Sequence, residues 1–198
     1  MQSPSLNLIS EQQLQALLND QVAIWDDFLD PEKAQALLAR AQDLHRQNLF
    51  TPAGIGAGSA HQHQAQIRSD SVYWLKENLA ALDELQRQFN EKLYWGLTHY
   101  EYHLAHYAPG QGYQEHIDQP LKQSFFQGER KISFVLYLNQ AWQKGDGGEF
   151  IYKDSRQNAI SVEPLFNRLV FFRSDTVLHS VAPAKKGRWS LTGWMRRS

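Results

Sequence analysis

The 198-residue chain contains no cysteine, so a disulfide-stabilised fold and a thiolate metal site are both excluded. It has no apolar run of membrane-spanning length, and its first residues, MQSPSLNLISEQQ, lack the basic and apolar regions of a secretory signal. Its formal net charge is only -1, and most basic residues are scattered. These absences argue against a membrane protein and against a nucleic-acid-binding surface. We expect a soluble, cytoplasmic, monomeric protein.

The length fits one domain, and the first half of the chain carries helical patterns. Ser10 and Gln13 form a possible capping box before a short helix, and Val22 to Trp25 has strand character. Asp30 and Pro31 have the residue types of an N-cap and first helical position. A third helix is predicted by one apolar stripe, formed by Leu75, Leu79, Leu82, Leu85, Phe89 and Leu93.

The second half of the chain has strand character instead. Its apolar segments span residues 100–107, 132–138, 149–152, 169–172 and 189–195, and glycine and proline separate them. Helices followed by many short strands predict a mainly β protein, a double-stranded β-helix or jelly roll with helices on one sheet. We expect a single domain over residues 1–198: an N-terminal extension (1–21), a helical support (22–98) and a jelly-roll core (99–198).

Two histidines and one aspartate indicate an iron site. Residues i and i+2 of a strand point to the same side, so His116 and Asp118 can reach one ion while Ile117 packs away. His179, from a distant strand, can supply the third ligand. Two imidazoles and one carboxylate on one face of Fe(II) are the ligand set of non-haem iron oxygenases.

Arg188 follows this pattern in the segment Arg188-Trp189-Ser190. Strand alternation can direct its guanidinium into the same interior as the metal ligands. Because guanidinium makes a bidentate pair with a carboxylate, Arg188 is predicted to anchor an acidic co-substrate.

Several segments together resemble the prolyl 4-hydroxylase-like 2-oxoglutarate- and Fe(II)-dependent dioxygenases, near the hypoxia-inducible-factor prolyl hydroxylases and their bacterial relatives. They are YAPGQGYQEHID (107–118), RKISFVLYLN (130–139), GGEF (147–150), PLFNRLVFF (164–172), WDDFL (25–29) and IRSDSVYW (67–74). The resemblance covers most of the chain after about residue 22. Two departures are Arg-Ser-Asp in place of Arg-Gly-Asp before the third strand, and one residue fewer between Tyr107 and His116.

The resemblance implies a role for each residue that matches the family's motifs. His116, Asp118 and His179 match the iron ligands, and Arg188 and Tyr137 match residues that bind the distal carboxylate of 2-oxoglutarate. The other matches are Tyr107 and Tyr113 at the co-substrate and substrate mouth, Thr192 and Trp194 behind the metal, and Asp70 and Arg130 near the peptide mouth. Asp70 and Arg130 are expected to pair across that mouth, beside a mobile loop from Thr51 to Gln66 that selects the substrate.

The implied activity is hydroxylation of a prolyl residue in a protein, with Fe(II), 2-oxoglutarate and O2, and with ascorbate as an optional reductant. Bacterial members of this branch look like modifiers of translation factors, notably elongation factor Tu. Alternatives are a dioxygenase acting on another residue or a small molecule, a nucleic-acid demethylase, and a non-catalytic jelly-roll binding module. The demethylase pattern has an arginine where this chain has Trp194, and the binding module typically loses a ligand.

The remaining histidines form weaker candidates for metal binding. His61 and His63 are one pair, and His99, His103 and His106 are a second group without a well-spaced acidic residue. We interpret them as solvated residues or as supports of the site. His103 differs from the others because strand alternation places it inward with Tyr107, near the co-substrate.

Overall fold

A computed structural model describes residues 8–55, 62–119 and 128–197 of the chain. Its helices are α1 (Glu11–Leu18), α2 (Pro31–Arg46) and α3 (Ala80–Leu93). The first two begin as predicted, since Ser10 and Gln13 form a capping box and Asp30 accepts a hydrogen bond from the Glu32 amide. None of the described helices is both long and apolar enough to cross a membrane.

Helix α3 begins later than the apolar stripe predicts. Leu75 ends a strand that pairs with the strand after the helix, so it is not helical. It still packs in the same core cluster as Leu82, Leu85 and Phe89, which explains why it extends their apolar pattern.

Eleven strands are formed by the described residues: β1 (Ala23–Trp25), β2 (Thr51–Pro52), β3 (Ser71–Leu75), β4 (His99–Tyr107), β5 (Tyr113–His116), β6 (Glu129–Tyr137), β7 (Phe150–Lys153), β8 (Ala159–Val162), β9 (Leu169–Arg173), β10 (His179–Val181) and β11 (Arg188–Arg197). They form a seven-stranded sheet in the order β1-β9-β6-β11-β4-β3-β2 and a four-stranded sheet in the order β5-β10-β7-β8. All the pairings between these strands are antiparallel. The predicted mainly β jelly roll is confirmed, although residues 22–98 contribute three strands as well as two helices.

Alternation along the central strands separates two apolar layers. Leu104, Phe134 and Leu191 belong to the cluster that includes the buried apolar residues of all three helices. Val135 and Phe172, which alternate with that set, pack instead with residues of the four-stranded sheet. The helices therefore cover one face of the large sheet, and its other face borders the site.

The segment from Thr51 to Gln66 is partly regular. Thr51–Pro52 form the edge strand β2, and Ile55 makes an isolated bridge with Gln62. Residues 56–61, which include His61, lie outside the described residues.

Candidate active site

His116, Asp118 and His179 converge at one point between the two sheets. One ligand atom from each lies within 4.8 Å of the others. The antiparallel register of β5 and β10 pairs His116 with His179, whose ring centroids are 4.2 Å apart. Asp118 lies in a bend beyond the end of β5, so the expectation that it shares a strand with His116 is wrong. The bend nevertheless brings its carboxylate to the same point.

Backbone carbonyls orient both imidazoles. Nδ1 of His116 lies 2.7 Å from the Gln114 oxygen, and Nδ1 of His179 lies 3.0 Å from the Val177 oxygen. A carbonyl oxygen only accepts, so each Nδ1 carries the proton and each Nε2 is left as a ligand atom. Nε2 of His116 lies 3.5 Å from Oδ1 of Asp118, and Nε2 of His179 lies 3.8 Å from Oδ2.

The protonation states of Asp118 and His179 suit a cation. Burial disfavours the Asp118 carboxylate, but His179, His116 and the Ser133 hydroxyl together hold its pKa well below the ordinary range. Burial, together with His116, lowers the pKa of His179 to about 4. A metal ion binds an ionised carboxylate and neutral imidazoles, so the residues fit the ion that the sequence predicts.

Arg188 lines the same interior as the three ligands and has no acidic partner among the described residues. Only 3% of it is exposed, and it donates from Nε to the Gly148 carbonyl at 2.8 Å and from Nη1 to the Ser190 hydroxyl at 3.4 Å. Its guanidinium lies 4.9 Å from the ring centre of Tyr107 and 5.0 Å from that of Tyr137. A buried cation without a carboxylate is costly, so this environment suits an anionic ligand.

Tyr137 supplies an uncharged donor beside Arg188. Its hydroxyl is buried and has no hydrogen-bond partner within the described part of the chain. Burial raises the pKa of Tyr137, so the hydroxyl retains its proton at neutral pH. A guanidinium and a neutral hydroxyl donor next to one another form a receptor for a carboxylate.

The three ligands and Arg188 line one cavity of about 40 Å³, the inner cavity. Tyr107, Thr192 and Trp194 belong to the same lining. The register of β4 and β11 places Arg188 opposite Tyr107 and Thr192 opposite His103. Of the residues predicted to hold the co-substrate, four line the inner cavity, namely Arg188, Tyr107, Thr192 and Trp194. The fifth, Tyr137, lies beside Arg188.

A second cavity, the outer cavity of about 330 Å³, adjoins the inner one, since His116, Asp118 and Tyr113 line both. Tyr113 stacks on His116 with 3.5 Å between ring centroids, and Arg130 lies over the Trp194 ring at 3.8 Å. Trp74, 48% exposed, forms another part of the wall. These side chains make a mouth that is rich in aromatic residues.

The expected pairing of Asp70 with Arg130 is wrong. Asp70 is 2% exposed and pairs with Arg68 at 2.7 Å, whereas Arg130 pairs with Glu101 at 2.8 Å. The partner of Asp70 is two residues away in the chain. The partner of Arg130, Glu101, lies on β4, which is separated from β6 by β11 in the same sheet. Asp70 borders the inner cavity and Arg130 the outer one, so only Arg130 lies at the predicted mouth.

His103 faces the interior as alternation predicts. It is 1% exposed, with its ring centroid 4.8 Å from that of Trp74 and 5.6 Å from that of Trp194. Burial and the neighbouring Arg68 hold its pKa well below the ordinary value, so it is neutral. Arg68 has no predicted role, although its place two residues before Asp70 was a signal that the two can pair.

Two imidazoles and one carboxylate inside a jelly roll, with a buried arginine lining the same cavity, define the class of non-haem iron oxygenases. The family described as the 2OG-Fe(II) oxygenase superfamily matches residues 102–196. The chain belongs to this superfamily, on its prolyl 4-hydroxylase-like branch. The superfamily's cofactors, Fe(II) and 2-oxoglutarate, are those that the triad and the arginine fit.

Two curated relatives are longer than this chain. Human Egl nine homolog 1 is 28% identical over 207 aligned residues, which cover 96% of this chain and 47% of that protein. The hypoxia-inducible factor prolyl hydroxylase of Caenorhabditis elegans is 25% identical, with 96% of this chain and 28% of that protein covered. The chain thus spans less than half the length of either relative.

Solved structures include one of similar length. A Pseudomonas putida prolyl-4-hydroxylase is 32% identical with a TM-score of 0.83, covering 94% of this chain and 98% of that one. A Trichoplax adhaerens prolyl hydroxylase, solved with a hypoxia inducible factor oxygen degradation domain peptide fragment, has a TM-score of 0.81 at 24% identity. That alignment covers 93% of this chain and 87% of that one, and it indicates a shared fold.

Proposed function

We propose that the protein hydroxylates a prolyl residue of a protein substrate, using Fe(II), 2-oxoglutarate and O2. The observation that carries this proposal is that an anion receptor and a metal-ligand triad line the same cavity. A dicarboxylate can bridge the two while the outer cavity admits a substrate. The prolyl substrate is supported by the likeness to prolyl hydroxylases, including one of similar length at 32% identity.

The residues of the chain have separate tasks in this reaction. His116, Asp118 and His179 would hold Fe(II), which supplies the oxidising chemistry by which 2-oxoglutarate and O2 yield succinate, carbon dioxide and one inserted oxygen atom. Arg188 and the Tyr137 hydroxyl bind the distal carboxylate of the co-substrate. Burial of these groups excludes water, which strengthens their hold on the anion.

The mouth of the cavity determines which polypeptide the enzyme binds. Arg130, Tyr113 and Trp74 form its wall, with residues 51–55 along one side. We propose that these residues bind the chain around the target proline, and that Asp70 acts indirectly by fixing Arg68. A translation factor such as elongation factor Tu is the first candidate substrate to test.

The wider setting is also a proposal. The near-neutral formal charge of -1 supports action on proteins rather than nucleic acids. We propose a cytoplasmic enzyme that works as a monomer, because the triad, the arginine and the mouth all come from one chain.

The test measures conversion of 2-oxoglutarate to succinate by anaerobically iron-loaded protein after oxygen is admitted, with and without candidate protein substrates. Turnover should require iron and should leave a hydroxyproline on the substrate. His116→Ala should abolish both. The matched control is Glu115→Gln, because Glu115 is adjacent to His116 but belongs to the surface. Its side chain is 47% exposed, and its Oε1 lies 3.1 Å from Nζ of Lys153. Iron-dependent turnover without hydroxyproline on any protein would refute the prolyl assignment.

A further inference from the structure

Asp118 is held by two buried serines. The Ser133 hydroxyl on β6 lies 2.6 Å from Oδ2 of Asp118, and the Ser174 hydroxyl lies 2.9 Å from that of Ser133. Ser133 is 2% exposed and Ser174 is fully buried. The carboxylate is therefore the end of a chain of two hydroxyls that leads away from the cavity.

The direction of these hydrogen bonds follows from proton counting. The ionised Asp118 carboxylate can only accept, so the Ser133 hydroxyl donates its single proton to Oδ2. Ser133 can then only accept from Ser174, which must donate. The order Ser174 to Ser133 to Asp118 is the one arrangement that leaves none of the three unsatisfied, and a buried unsatisfied group is costly.

The backbone of Ser174 also holds the bend that carries Asp118. Its carbonyl accepts from the Gln119 amide at 2.8 Å, and its own amide donates to the Lys131 carbonyl at 3.1 Å. Ser174 thus connects the strand that carries Ser133 with the residue that follows Asp118. The bend lies beyond β5, so these contacts replace the ladder bonds that would otherwise orient the ligand.

We infer that Ser133 and Ser174 are positioning residues for the metal site: they retain Oδ2 of Asp118 in the protein and leave Oδ1 as the oxygen offered to the ion. The inference rests on the proposed function, since it assumes that Asp118 binds a metal. Retaining one carboxylate oxygen keeps Asp118 a one-oxygen ligand. Other coordination positions of the ion then remain for the co-substrate and O2.

Cobalt(II) is the probe, because its visible absorption reports the number and arrangement of its ligands. Anaerobic titration should show affinity reduced by about 10–100-fold in Ser133→Ala, as for other residues that support a metal ligand. The cobalt spectrum should change as well. Ser174→Ala should weaken binding less, because Ser133 keeps its hydroxyl but loses its orientation. Ser133→Thr, which retains a hydroxyl, should restore affinity and spectrum.

The double variant tests whether Ser174 acts only through Ser133, as a relay of hydrogen bonds, or independently of it. If Ser174 acts only through Ser133, the double variant Ser133→Ala/Ser174→Ala should bind cobalt with the same affinity as the single variant Ser133→Ala. Ser161→Ala, an exposed serine on β8, is the matched control and should match the wild type. The unfolding free energy of each metal-free variant is measured in parallel, which identifies a merely structural loss.

Unchanged cobalt affinity and spectrum in Ser133→Ala or Ser174→Ala, or fully additive losses in the double variant, would overturn the relay. The same holds if Ser174→Ala lowers only the stability of the metal-free protein. Failure of the wild type to bind cobalt would instead overturn the proposed metal site. The two failures are therefore distinguishable in one titration series.

Discussion

Replacing Arg188 with alanine should weaken 2-oxoglutarate binding by about a hundredfold. The guanidinium is 3% exposed and uses Nε and Nη1 for Gly148 and Ser190, and it has no acidic partner among the described residues. Its remaining N–H groups can thus receive a carboxylate. Leaving that carboxylate buried without its partner costs about 3 kcal/mol, which corresponds to about a hundredfold in affinity.

The assay is the 2-oxoglutarate dependence of succinate formation, with iron content measured on the same samples. Iron should remain bound, since Arg188 is not a ligand. Arg188→Lys keeps the charge but not the planar fork, and should lose roughly tenfold. Tyr137→Phe removes a neutral hydrogen bond worth about 1 kcal/mol. An unchanged co-substrate requirement in Arg188→Ala would refute the anion receptor.

Three further predictions concern stability. Asp70→Asn leaves the Arg68 guanidinium, which is 13% exposed, without its buried carboxylate. The change should lower the unfolding free energy by about 3 kcal/mol in urea titrations, and a loss below about 1 kcal/mol would contradict a largely buried pair. Burial and His45 lower the pKa of His106 from 6.5 to about 4, so the unfolded state binds the proton more tightly. Stability should therefore fall as pH falls from 6.5 to 4. His106→Gln should remove about 1 kcal/mol of that fall, and an unchanged pH profile of stability would refute this prediction. Gly193→Ala places a Cβ against the Glu101 carbonyl oxygen and should lower the unfolding free energy by about 3 kcal/mol. A neutral effect in thermal unfolding would contradict the close packing.

Sequence periodicity predicts the parts of this fold in which residues at a regular spacing face the same layer. Alternation in the central strands predicts both the jelly roll and the inward direction of Tyr137 and His103, because every second residue faces the same layer. Residues Ala159–Val162, which form β8, are mostly exposed and show no such alternation, so β8 is absent from the predicted set. The strand that carries His179, β10, is predicted only as the source of the third ligand.

Contacts between distant charged residues are less predictable. Asp70 and Arg130 have opposite charges, but strand register brings Glu101 to Arg130, and Arg68 already lies beside Asp70. The same limit applies to Ser174, whose role depends on where β9 ends relative to β6. By contrast, His116, Asp118 and His179 are recognisable from their residue types and spacing, although the bend at Asp118 is not.

The most direct test of the central claim is isotope incorporation in host-cell extract. Extract from cells without the enzyme is incubated with iron-loaded protein, 2-oxoglutarate and isotopically heavy O2, and its proteins are analysed by mass spectrometry. The account predicts one heavy oxygen atom on a proline of a particular protein, absent when His179→Ala replaces the wild type. Oxygen on another residue type, or equal labelling by His179→Ala, would contradict it.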